Sequence, residues 1–516
     1  MASSWTSTTS ALSVAPGPSG GSNEPSAKRE VAVLTLTTLG TLMVAVDSTI
    51  VILALPTMVR ELAAPLETVI WTILIYLLIT AALTTQAGRI GDMWGRGRVY
   101  NAGFALFTVG SALCGFSPDA TILVASRGVQ AIGGAVMFAN SAALIASVFP
   151  PTRRGRAFGF VSFGWGVGAI LGILLGGVIT TTLGWRYIFF INIPIGIVAV
   201  LIGWLTLPRS RGEPAHFDFP GFVTLSASLA LICYGAIETA SYGVSALNLG
   251  YVVAGLLLVG LFVALELRSD RPMLELRQLR DRLLGFSLIA GFLQSLGYLS
   301  IVFLLTMYLQ GLRGLSPLNA SLLLVPGYLV GALLGPLMGR QVDRVGPRAV
   351  ATAGIVCMVT AVGGYSLLGL NAWLGWIPCI SVVSGLGTGM FYPANSTAIM
   401  SRTSPRTFGS ISGLRGTLSN MGTLLSFVLT LTIASASVPR YVAYEVFLGT
   451  GNLTGNVGSQ FLAGIHAALV GSAIILGVAA ILSWSRGPTP APVSALTPVA
   501  SGAAASSGIS KGPTDR

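Results

Sequence analysis

The sequence predicts an all-α membrane protein with fourteen transmembrane helices, arranged as two parallel six-helix repeats with two further helices inserted between them (6+2+6). Three observations support this prediction. Only 9% of the 516 residues are charged and 53% are hydrophobic, whereas an ordinary soluble protein carries about 25% charged residues. Apolar runs of membrane-spanning length recur along the whole chain, and one motif occurs twice, about 250 residues apart.

The apolar runs define the predicted helices. Each approaches the roughly 20 residues that a bilayer-crossing helix needs, and none alternates every second residue as a membrane β-strand would. Glycine and proline interrupt some of them, which membrane helices tolerate when neighbouring helices satisfy the freed backbone groups. The predicted spans are 33–57, 68–87, 99–117, 121–148, 157–182, 187–207, 220–239, 247–267, 284–309, 318–338, 349–369, 374–399, 408–435 and 461–484.

An internal repeat predicts how these helices are arranged. The segment GRIGDMWG at 88–95 recurs as GRQVDRVG at 339–346, ANS at 139–141 recurs at 394–396, and FG at 158–159 recurs at 408–409. The first pair follows the second and the tenth helices, so the two copies are eight helices apart and share one orientation. Two six-helix repeats therefore flank an inserted pair, the seventh and eighth helices.

The basic residues orient the chain in the bilayer. With both termini in the cytoplasm, most of the 29 Lys and Arg lie on the cytoplasmic side, and only Arg60, Arg186, Arg313 and Arg440 lie on the other side. The positive-inside rule favours this distribution, which also requires an even number of helices. The predicted location is the plasma or inner cell membrane, crossed many times.

The chain is predicted to divide into five parts. Ser, Thr, Gly, Pro and Ala dominate both ends, a composition typical of disordered tails, here cytoplasmic. The predicted boundaries are 1–30 for the N-terminal tail, 31–207 for the first six-helix bundle, 208–283 for the two inserted helices and their cytoplasmic linkers, 284–485 for the second bundle, and 486–516 for the C-terminal tail.

Composition and motifs exclude several other classes of protein. The basic residues form no continuous patch, so nucleic acid is not a predicted partner. Two histidines and four cysteines, none with metal-ligand spacing, predict neither a metal site nor a cofactor. A lipid-modifying enzyme needs a polar catalytic cluster at membrane depth, a sensor needs a signalling domain, and an ATP-driven pump needs a phosphate-binding loop. The sequence shows none of these features.

Charged residues inside the predicted spans are the candidate functional residues. Asp47, Arg127 and Arg415 lie within apolar segments, where a charge is costly unless it faces a cavity or a partner. Burial favours the neutral form of a carboxylic acid, so Asp47 is a candidate for proton uptake and release. Arg127 needs an anion or a carbonyl partner, and Gln130 lies one turn further on the same face. The alternatives are a structural acid at 47 and an arginine at 127 that extends to the membrane surface.

The repeated loop motif has residue types suited to a conformational latch. Gly88 permits close helix approach, and Asp92 can accept hydrogen bonds from an arginine or a helix N-terminus. Gly95 permits a tight turn, and Arg96 is expected to meet anionic headgroups. A contact made in only one of two conformations would control gating without touching substrate, and the alternative is a simple basic anchor. The corresponding residues of the second copy are Gly339, Asp343 and Gly346.

A glycine stripe marks the fifth predicted helix. Together with Gly164 and Gly166, the glycines Gly168, Gly172, Gly176 and Gly177 would provide a flat surface for close helix packing. Such packing could let this helix slide against the tenth helix, which has glycines of its own, and we do not expect the stripe to touch substrate.

Aromatic residues inside the spans are candidates for lining a cavity, although each is also explained by a place in the core or at the lipid interface. They are Trp71, Tyr76, Phe138, Trp165, Phe292, Tyr298, Tyr308, Tyr328, Phe391 and Tyr392.

Five segments resemble the fourteen-helix drug:proton antiporter family of the major facilitator superfamily, and the resemblance covers about residues 31–485. The segments are LMVAVDSTIVILALP at 42–56, GRIGDMWGRGR at 88–98, SRGVQAIGGA at 126–135, GVGAILGILLGG at 166–177 and WRYIFFINIPIG at 185–196. The resemblance implies the major facilitator fold and a secondary active transporter, not an enzyme, that exports amphipathic or cationic organic compounds in exchange for protons by alternating access.

The resemblance also implies roles and partners. It places Arg127 and Gln130, together with Asp47, at a central cavity and in proton coupling, and Arg415 is a candidate for the same site. The implied partners are a small-molecule substrate, protons and the lipid bilayer, with the protein acting as a monomer. Ile173 stands where the family usually has proline, which leaves antiport, symport and uniport open. The alternative function is transport of a lipid, a siderophore or another metabolite by the same fold.

Overall fold

The computed structural model describes residues 27–64, 66–207, 218–243, 245–269, 276–315, 317–435 and 457–487. Every regular element in these ranges is helical. The α-helices in chain order are α1 (Ala27–Glu61), α2 (Leu66–Trp94), α3 (Arg96–Gly115), α4 (Ala120–Val148), α5 (Arg154–Thr182), α6 (Tyr187–Phe190), α7 (Asn192–Thr206), α8 (Phe219–Tyr242), α9 (Ala246–Arg268), α10 (Arg282–Tyr298), α11 (Ile301–Thr306), α12 (Pro317–Val345), α13 (Pro347–Tyr365), α14 (Trp376–Ser401), α15 (Phe408–Ser435) and α16 (Val457–Ser485).

Twelve of these helical segments are long and apolar enough to cross a membrane. The other two predicted spans coincide with α3 and α15, which are long helices of 20 and 28 residues. Helix α3 begins with Arg96 and includes Arg98 in its first turn. Within the described ranges the all-α membrane fold is confirmed, and the count of fourteen spans stays a prediction.

Side-chain caps explain where several helices begin. The Asp119 carboxylate accepts a hydrogen bond of 2.9 Å from the Ile122 N–H at the start of α4, and Asp281 does the same for the Leu284 N–H of α10 at 3.0 Å. Ser245 caps α9 through the Asn248 N–H at 3.1 Å. Such caps satisfy backbone donors that have no partner inside the helix.

The helices pack in a pattern that occurs twice. In the N-terminal group, which comprises α1 to α7, helix α1 packs against α5, α4 packs against α2 and α3, and α3 packs against α7. In the C-terminal group, α10 to α16, the corresponding pairs are α10 with α15, α14 with α12 and α13, and α13 with α16. Two pairs of helices pack across the groups, α2 with α15 and α12 with α5. The two pairs are equivalent, because α12 is the counterpart of α2 and α15 is the counterpart of α5.

The remaining pair, α8 and α9, lies beside the two groups. The two helices pack against each other, and α8 also contacts α2 and α15. Cys233 and Ile237 of α8 are buried in an apolar cluster with Ala81 of α2 and Leu424 of α15. Helix α9 has an exposed leucine-rich surface instead, which suits contact with lipid.

Some predicted boundaries differ from the structure. Helix α1 begins at Ala27, inside the predicted tail 1–30, while 1–26, 208–217, 270–275, 436–456 and the tail from 488 lie outside the described residues. The predicted span 284–309 is interrupted at Ser300, and its end forms a π-helix at Met307–Leu312. The pairing of 158–159 with 408–409 is wrong by about one helical turn, because Gly155 and Gly409 are the second residues of α5 and α15 and make matching contacts.

The glycines of α5 face two helices. A methyl group on Gly168 would lie 2.6 Å from the Leu42 carbonyl oxygen of α1, and one on Gly172 would lie 2.8 Å from that of Val46. On the other side, a methyl group on Gly166 would lie 2.7 Å from Cβ of Ala332 in α12. The predicted contact between this helix and the tenth predicted helix is therefore present, but Gly168 and Gly172 pack against α1 instead. Gly176 is buried in the same helix, and the surroundings of Gly177 lie outside the described residues.

Candidate functional site

A buried hydrogen-bonded triad joins α1 to α4. Nη1 of Arg127 donates to Oδ2 of Asp47 at 2.7 Å and to Oε1 of Gln130 at 2.7 Å, and Nε2 of Gln130 donates to Oδ1 of Asp47 at 2.9 Å. Asp47 and Gln130 are fully buried, and Arg127 is 2% exposed. The structure therefore brings together three of the predicted residues, and Arg127 does not extend to the membrane surface.

Neighbouring helices complete the surroundings of the Arg127 guanidinium. Its Nε donates to the Thr72 carbonyl oxygen at 3.0 Å, and the Tyr76 ring lies below it, with the guanidinium carbon 4.6 Å from the ring centroid. Asn192, at the start of α7, points its Nδ2 at Asp47 Oδ1 over 3.5 Å and donates to Ser111 Oγ at 3.1 Å. Sequence reasoning missed Asn192, although it lies within the WRYIFFINIPIG segment.

The triad can couple the charge of Asp47 to the packing of several helices. A buried ion pair is costly to break by removal of one partner, because the other charge is then left without compensation. Protonation of Asp47 would do this chemically, since it would remove the one negative charge paired with Arg127 among the described residues and leave the guanidinium with neutral acceptors only. Such an event would favour rearrangement of α1 against α4.

A separate cavity lies between the N-terminal and the C-terminal groups. Its volume is about 10 Å³, roughly that of one water molecule, so the cavity is narrow. Asp47, Arg127 and Gln130 do not line it; Arg415 does. The lining residues are Gly40, Thr41, Val44, Tyr100, Met137, Phe138, Ser141, Trp165, Tyr392 and Arg415.

The cavity separates the predicted aromatic residues into two sets. Phe138, Trp165 and Tyr392 line it. Tyr76 packs on Arg127 instead, and Tyr308 is buried in the core of the C-terminal group. The Arg415 guanidinium carbon lies 5.3 Å from the Phe138 ring centroid and 5.5 Å from that of Tyr392. Arg415 is 9% exposed.

Asp92 bridges the two groups at the face that carries the α2–α3, α4–α5, α12–α13 and α14–α15 turns, called the loop face below. Its Oδ1 accepts from the Gly409 N–H at 2.9 Å and its Oδ2 from the Ser410 N–H at 2.8 Å. These are the first backbone N–H groups of α15, where the helix dipole favours a negative charge. Gly88 lies against Gly409, and a Cβ on Gly88 would overlap the Gly409 carbonyl oxygen.

Asp343 makes the corresponding contact from the other group. Its Oδ1 accepts from the Gly155 N–H at 2.8 Å and its Oδ2 from the Arg156 N–H at 3.0 Å, at the start of α5. Gly339 lies against Gly155 as Gly88 lies against Gly409. Both loop motifs therefore close the loop face by the same contact between a carboxylate and a helix N-terminus.

The turn glycines of both motifs have the backbone conformation that the sequence predicts. Gly95 has φ 96° and precedes α3, and Gly346 has φ 90° and precedes α13. L-amino acids rarely adopt such angles, whereas glycine adopts them at no steric cost.

Arg96 points inward, contrary to its predicted contact with headgroups. Its Nη2 donates to Asp92 Oδ1 at 2.7 Å and to the Pro405 carbonyl oxygen at 2.5 Å, and its side chain is only 14% exposed. A nearby carboxylate and a backbone carbonyl oxygen satisfy the guanidinium in place of lipid headgroups. Asp343 has no such partner among the described residues, because the position that corresponds to Arg96 is Pro347. The two contacts are therefore unequal.

This inequality leads to a prediction for the two carboxylates. Asp92→Asn is expected to shift the ratio of open to closed loop face by about tenfold or more, because it weakens the bonds to the α15 N–H groups and also removes the ion pair with Arg96, and hydrogen bonds to charged groups contribute about 1.5–3 kcal/mol. Asp343→Asn is expected to shift the ratio only about threefold, since Asp343 has no arginine partner among the described residues and the asparagine oxygen can still accept one backbone N–H.

Thr417, behind the Asp92 contact, offers a reporter of this opening. Its hydroxyl bonds to Thr85 Oγ1 at 2.8 Å, and both residues are buried. We would measure how fast a membrane-impermeant maleimide modifies Thr417→Cys, with the exposed Cys379 replaced by serine. Equal modification rates in the Asp92→Asn, Asp343→Asn and parent proteins would contradict the prediction.

The described residues contain no cluster of three or more His, Cys, Asp or Glu side chains that could hold a metal ion. The site therefore consists of a buried ion pair, a narrow cavity and two interhelical carboxylate contacts.

A bundle of apolar helices with these features is typical of a multi-span membrane transporter. The family model described as Major Facilitator Superfamily matches residues 37–427. The chain belongs to this superfamily.

Similar proteins agree with this membership. The riboflavin transporter RibZ of Clostridioides difficile (strain 630) is 29% identical over 81% of this chain and 90% of its own length. The tetracenomycin C resistance and export protein of Streptomyces glaucescens is 30% identical over 77% of this chain and 74% of its own length. Among solved structures, the human organic anion transporter MFSD10 (TETRAN) has a TM-score of 0.61 at 16% identity, with 88% of this chain and 99% of that chain covered; this similarity concerns the fold alone.

Proposed function

We propose that this protein is a secondary active transporter that exports amphipathic organic compounds, cations included, across the cell membrane in exchange for protons. Alternating access between the two faces of the membrane is the proposed mechanism, with a single copy of the chain as the working unit. The name of the Streptomyces glaucescens relative, a resistance and export protein, supports the direction of transport.

One observation carries this proposal. Asp92 from the N-terminal group and Asp343 from the C-terminal group each bind the first N–H groups of a helix in the opposite group, on the same face. These are polar, separable contacts at one end of the interface between the two groups. Contacts of this kind can close one face in one conformation and release it in the other.

The membrane arrangement is part of the proposal. We assign α3 and α15 as spans, because each packs within its group as its repeat counterpart does, which gives the 6+2+6 arrangement. The bundles are then 31–207 and 284–485, the insertion is 208–283, and the tails are 1–30 and 486–516. The loop face is cytoplasmic, so the structure corresponds to a state closed on the cytoplasmic side.

Proton coupling is assigned to the triad. Asp47, Arg127 and Gln130 are buried together and do not line the narrow cavity, so a proton and a substrate would occupy different sites. Protonation of Asp47 would weaken its pair with Arg127 and change the packing of α1 on α4, and α1 in turn contributes Gly40, Thr41 and Val44 to the cavity wall. The coupling would therefore act through helix α1.

A second candidate function is transport of a natural metabolite by the same fold. The riboflavin transporter among the relatives favours this alternative, and Ile173 in place of the usual proline leaves the direction of coupling open. Riboflavin therefore belongs in the same assay as the drug-like compounds.

Reconstitution tests the proposal. Purified protein in liposomes with an imposed pH gradient is expected to accumulate a fluorescent amphipathic compound and to dissipate the gradient when the compound is added. The screen would include lipophilic quaternary cations, uncharged dyes and riboflavin. Transport that is equally fast without any ion gradient would contradict proton exchange, and movement of riboflavin alone would favour the metabolite alternative.

A further inference from the structure

We propose that Arg415 forms an anion subsite in the central cavity, and that the cavity takes amphipathic aromatic compounds that carry a carboxylate. The inference rests on the proposed function, because it takes this cavity as the substrate site. It adds a substrate class that the drug-export proposal does not specify.

Arg415 is a buried cation with no described counter-charge. It lies about two turns into α15 and is 9% exposed, and its Nε has no hydrogen-bond partner. None of the ten residues around the cavity is acidic, and no ion pair involving Arg415 occurs in the described part of the chain. A guanidinium cannot lose its proton, so an anion is the partner that would best offset its burial.

The other buried arginines show what a satisfied guanidinium looks like in this protein. Arg127 pairs with Asp47 at 2.7 Å. Arg486 donates to Ser287 Oγ at 3.1 Å and to Asn395 Oδ1 at 3.2 Å. Arg415 has only the faces of Phe138 and Tyr392, which hold the guanidinium in place but leave its N–H groups free for a ligand.

A second unpartnered group faces the same cavity. The Ser141 hydroxyl is buried, has no hydrogen-bond partner and lines the space beside Arg415. A carboxylate has two oxygens, so one can accept from the guanidinium and the other from a hydroxyl. Arg415 and Ser141 together therefore offer donors that match this group, contributed by α15 and α4.

The aromatic walls define the rest of the ligand. Trp165 of α5 is 38% exposed and lines the cavity with Phe138 and Tyr392. Flat aromatic surfaces are suited to stacking on an aromatic ligand. The space present is about that of one water, which is smaller than a carboxylate. Binding of the ligand therefore requires the cavity to widen when the Asp92 and Asp343 contacts open.

A pair of dyes tests the inference. We would use a xanthene dye with a free benzoate group and the methyl ester of the same dye, and measure fluorescence anisotropy on the purified full-length protein in nanodiscs. The free acid is expected to bind saturably. Arg415→Gln is expected to weaken that binding by about tenfold or more, as expected for loss of a charge-assisted hydrogen bond, and to leave the ester within about twofold.

Matched variants separate this role from a general effect of charge or folding. Arg415→Lys keeps the charge and is expected to retain part of the affinity, and Ser141→Ala is expected to lower affinity for the acid only. Arg402→Gln removes one positive charge at a half-exposed ion pair with Asp281 and is expected to change neither dye. An unfolded Arg415→Gln protein would lose binding of both dyes and its thermal transition. In that case the affinities of Arg415→Lys and Ser141→Ala for the acid, each compared with the affinity for the ester, decide: a loss confined to the acid supports the subsite, and an equal loss for both dyes overturns it.

The outcomes distinguish this inference from the proposed function. Equal weakening of both dyes, tighter binding of the ester than the acid, or no saturable binding of the acid overturns the anion subsite, even if quaternary cations move with the pH gradient. Arg415-dependent binding of the acid without gradient-driven transport of any compound supports the subsite and contradicts proton-coupled export.

Discussion

Asp47→Asn protein is expected to lose pH-driven transport to the level of empty liposomes, while its binding of a cavity ligand stays within about threefold of the parent. The substitution keeps the shape of the side chain but removes the charge and the exchangeable proton. Arg127 then lacks its only described carboxylate partner, which is expected to lower the free energy of unfolding by about 3 kcal/mol. Transport is measured by quenching of a pH-sensitive dye, and stability by thermal unfolding.

A double variant decides between coupling and a merely structural role. In Asp47→Asn/Arg127→Gln both charges are absent, and replacement of a buried ion pair by neutral groups is often close to neutral for stability. We therefore expect the double variant to recover most of the thermal stability but none of the driven transport. Recovery of driven transport together with stability would show that the pair only holds α1 to α4, and would refute the coupling role.

Gly88→Val is expected to abolish closure of the loop face and to lower transport by at least tenfold. A Cβ at this position would overlap the Gly409 carbonyl oxygen on α15, and overpacking of this kind costs about 1–3 kcal/mol, or a factor of about five to more than a hundred in the ratio of closed to open protein. The clash exists only while the face is closed, so the open state gains population.

Accessibility at Thr417 measures this effect independently of transport. In a Thr417→Cys background, Gly88→Val is expected to raise the rate of modification by a membrane-impermeant maleimide. Gly363→Val is the matched control, because no atom lies within 4 Å of a Cβ at that glycine of α13. A Gly88→Val protein with a normal unfolding transition and an unchanged modification rate would show that this glycine contact does not hold the face closed.

The loop motifs illustrate what sequence patterns can predict. The recurrence of 88–95 at 339–346 indicated two related helix groups, and the turn glycines Gly95 and Gly346 have the positive φ angles that their place in the motif requires. The partner of Asp92 could not be identified from the sequence alone. That Asp92 could meet an arginine or a helix start was foreseeable, but whether Arg96 turns toward it or toward lipid depends on the position of α15, which is more than 300 residues away in sequence.

The charged residues inside the predicted spans also show which features the sequence predicts and which depend on helix packing. Their depth in apolar segments predicted that Asp47, Arg127 and Arg415 matter, because charge is costly there. Only the packing of α1, α2, α4 and α7 shows that Asp47, Arg127 and Gln130 satisfy one another, with Asn192 beside them. Only the meeting of α4, α5, α14 and α15 leaves Arg415 among aromatic rings without a described acid.

The sequence by itself determined that this is a helical membrane protein built from a repeated unit, since apolar length and local motif chemistry are properties of single segments. The tertiary structure decided which scarce polar groups pair and which remain available. Pairing depends on side-chain contacts between helices distant in sequence, and at membrane depth a carboxylate or a guanidinium must find a partner among whichever groups the packing brings within hydrogen-bond distance.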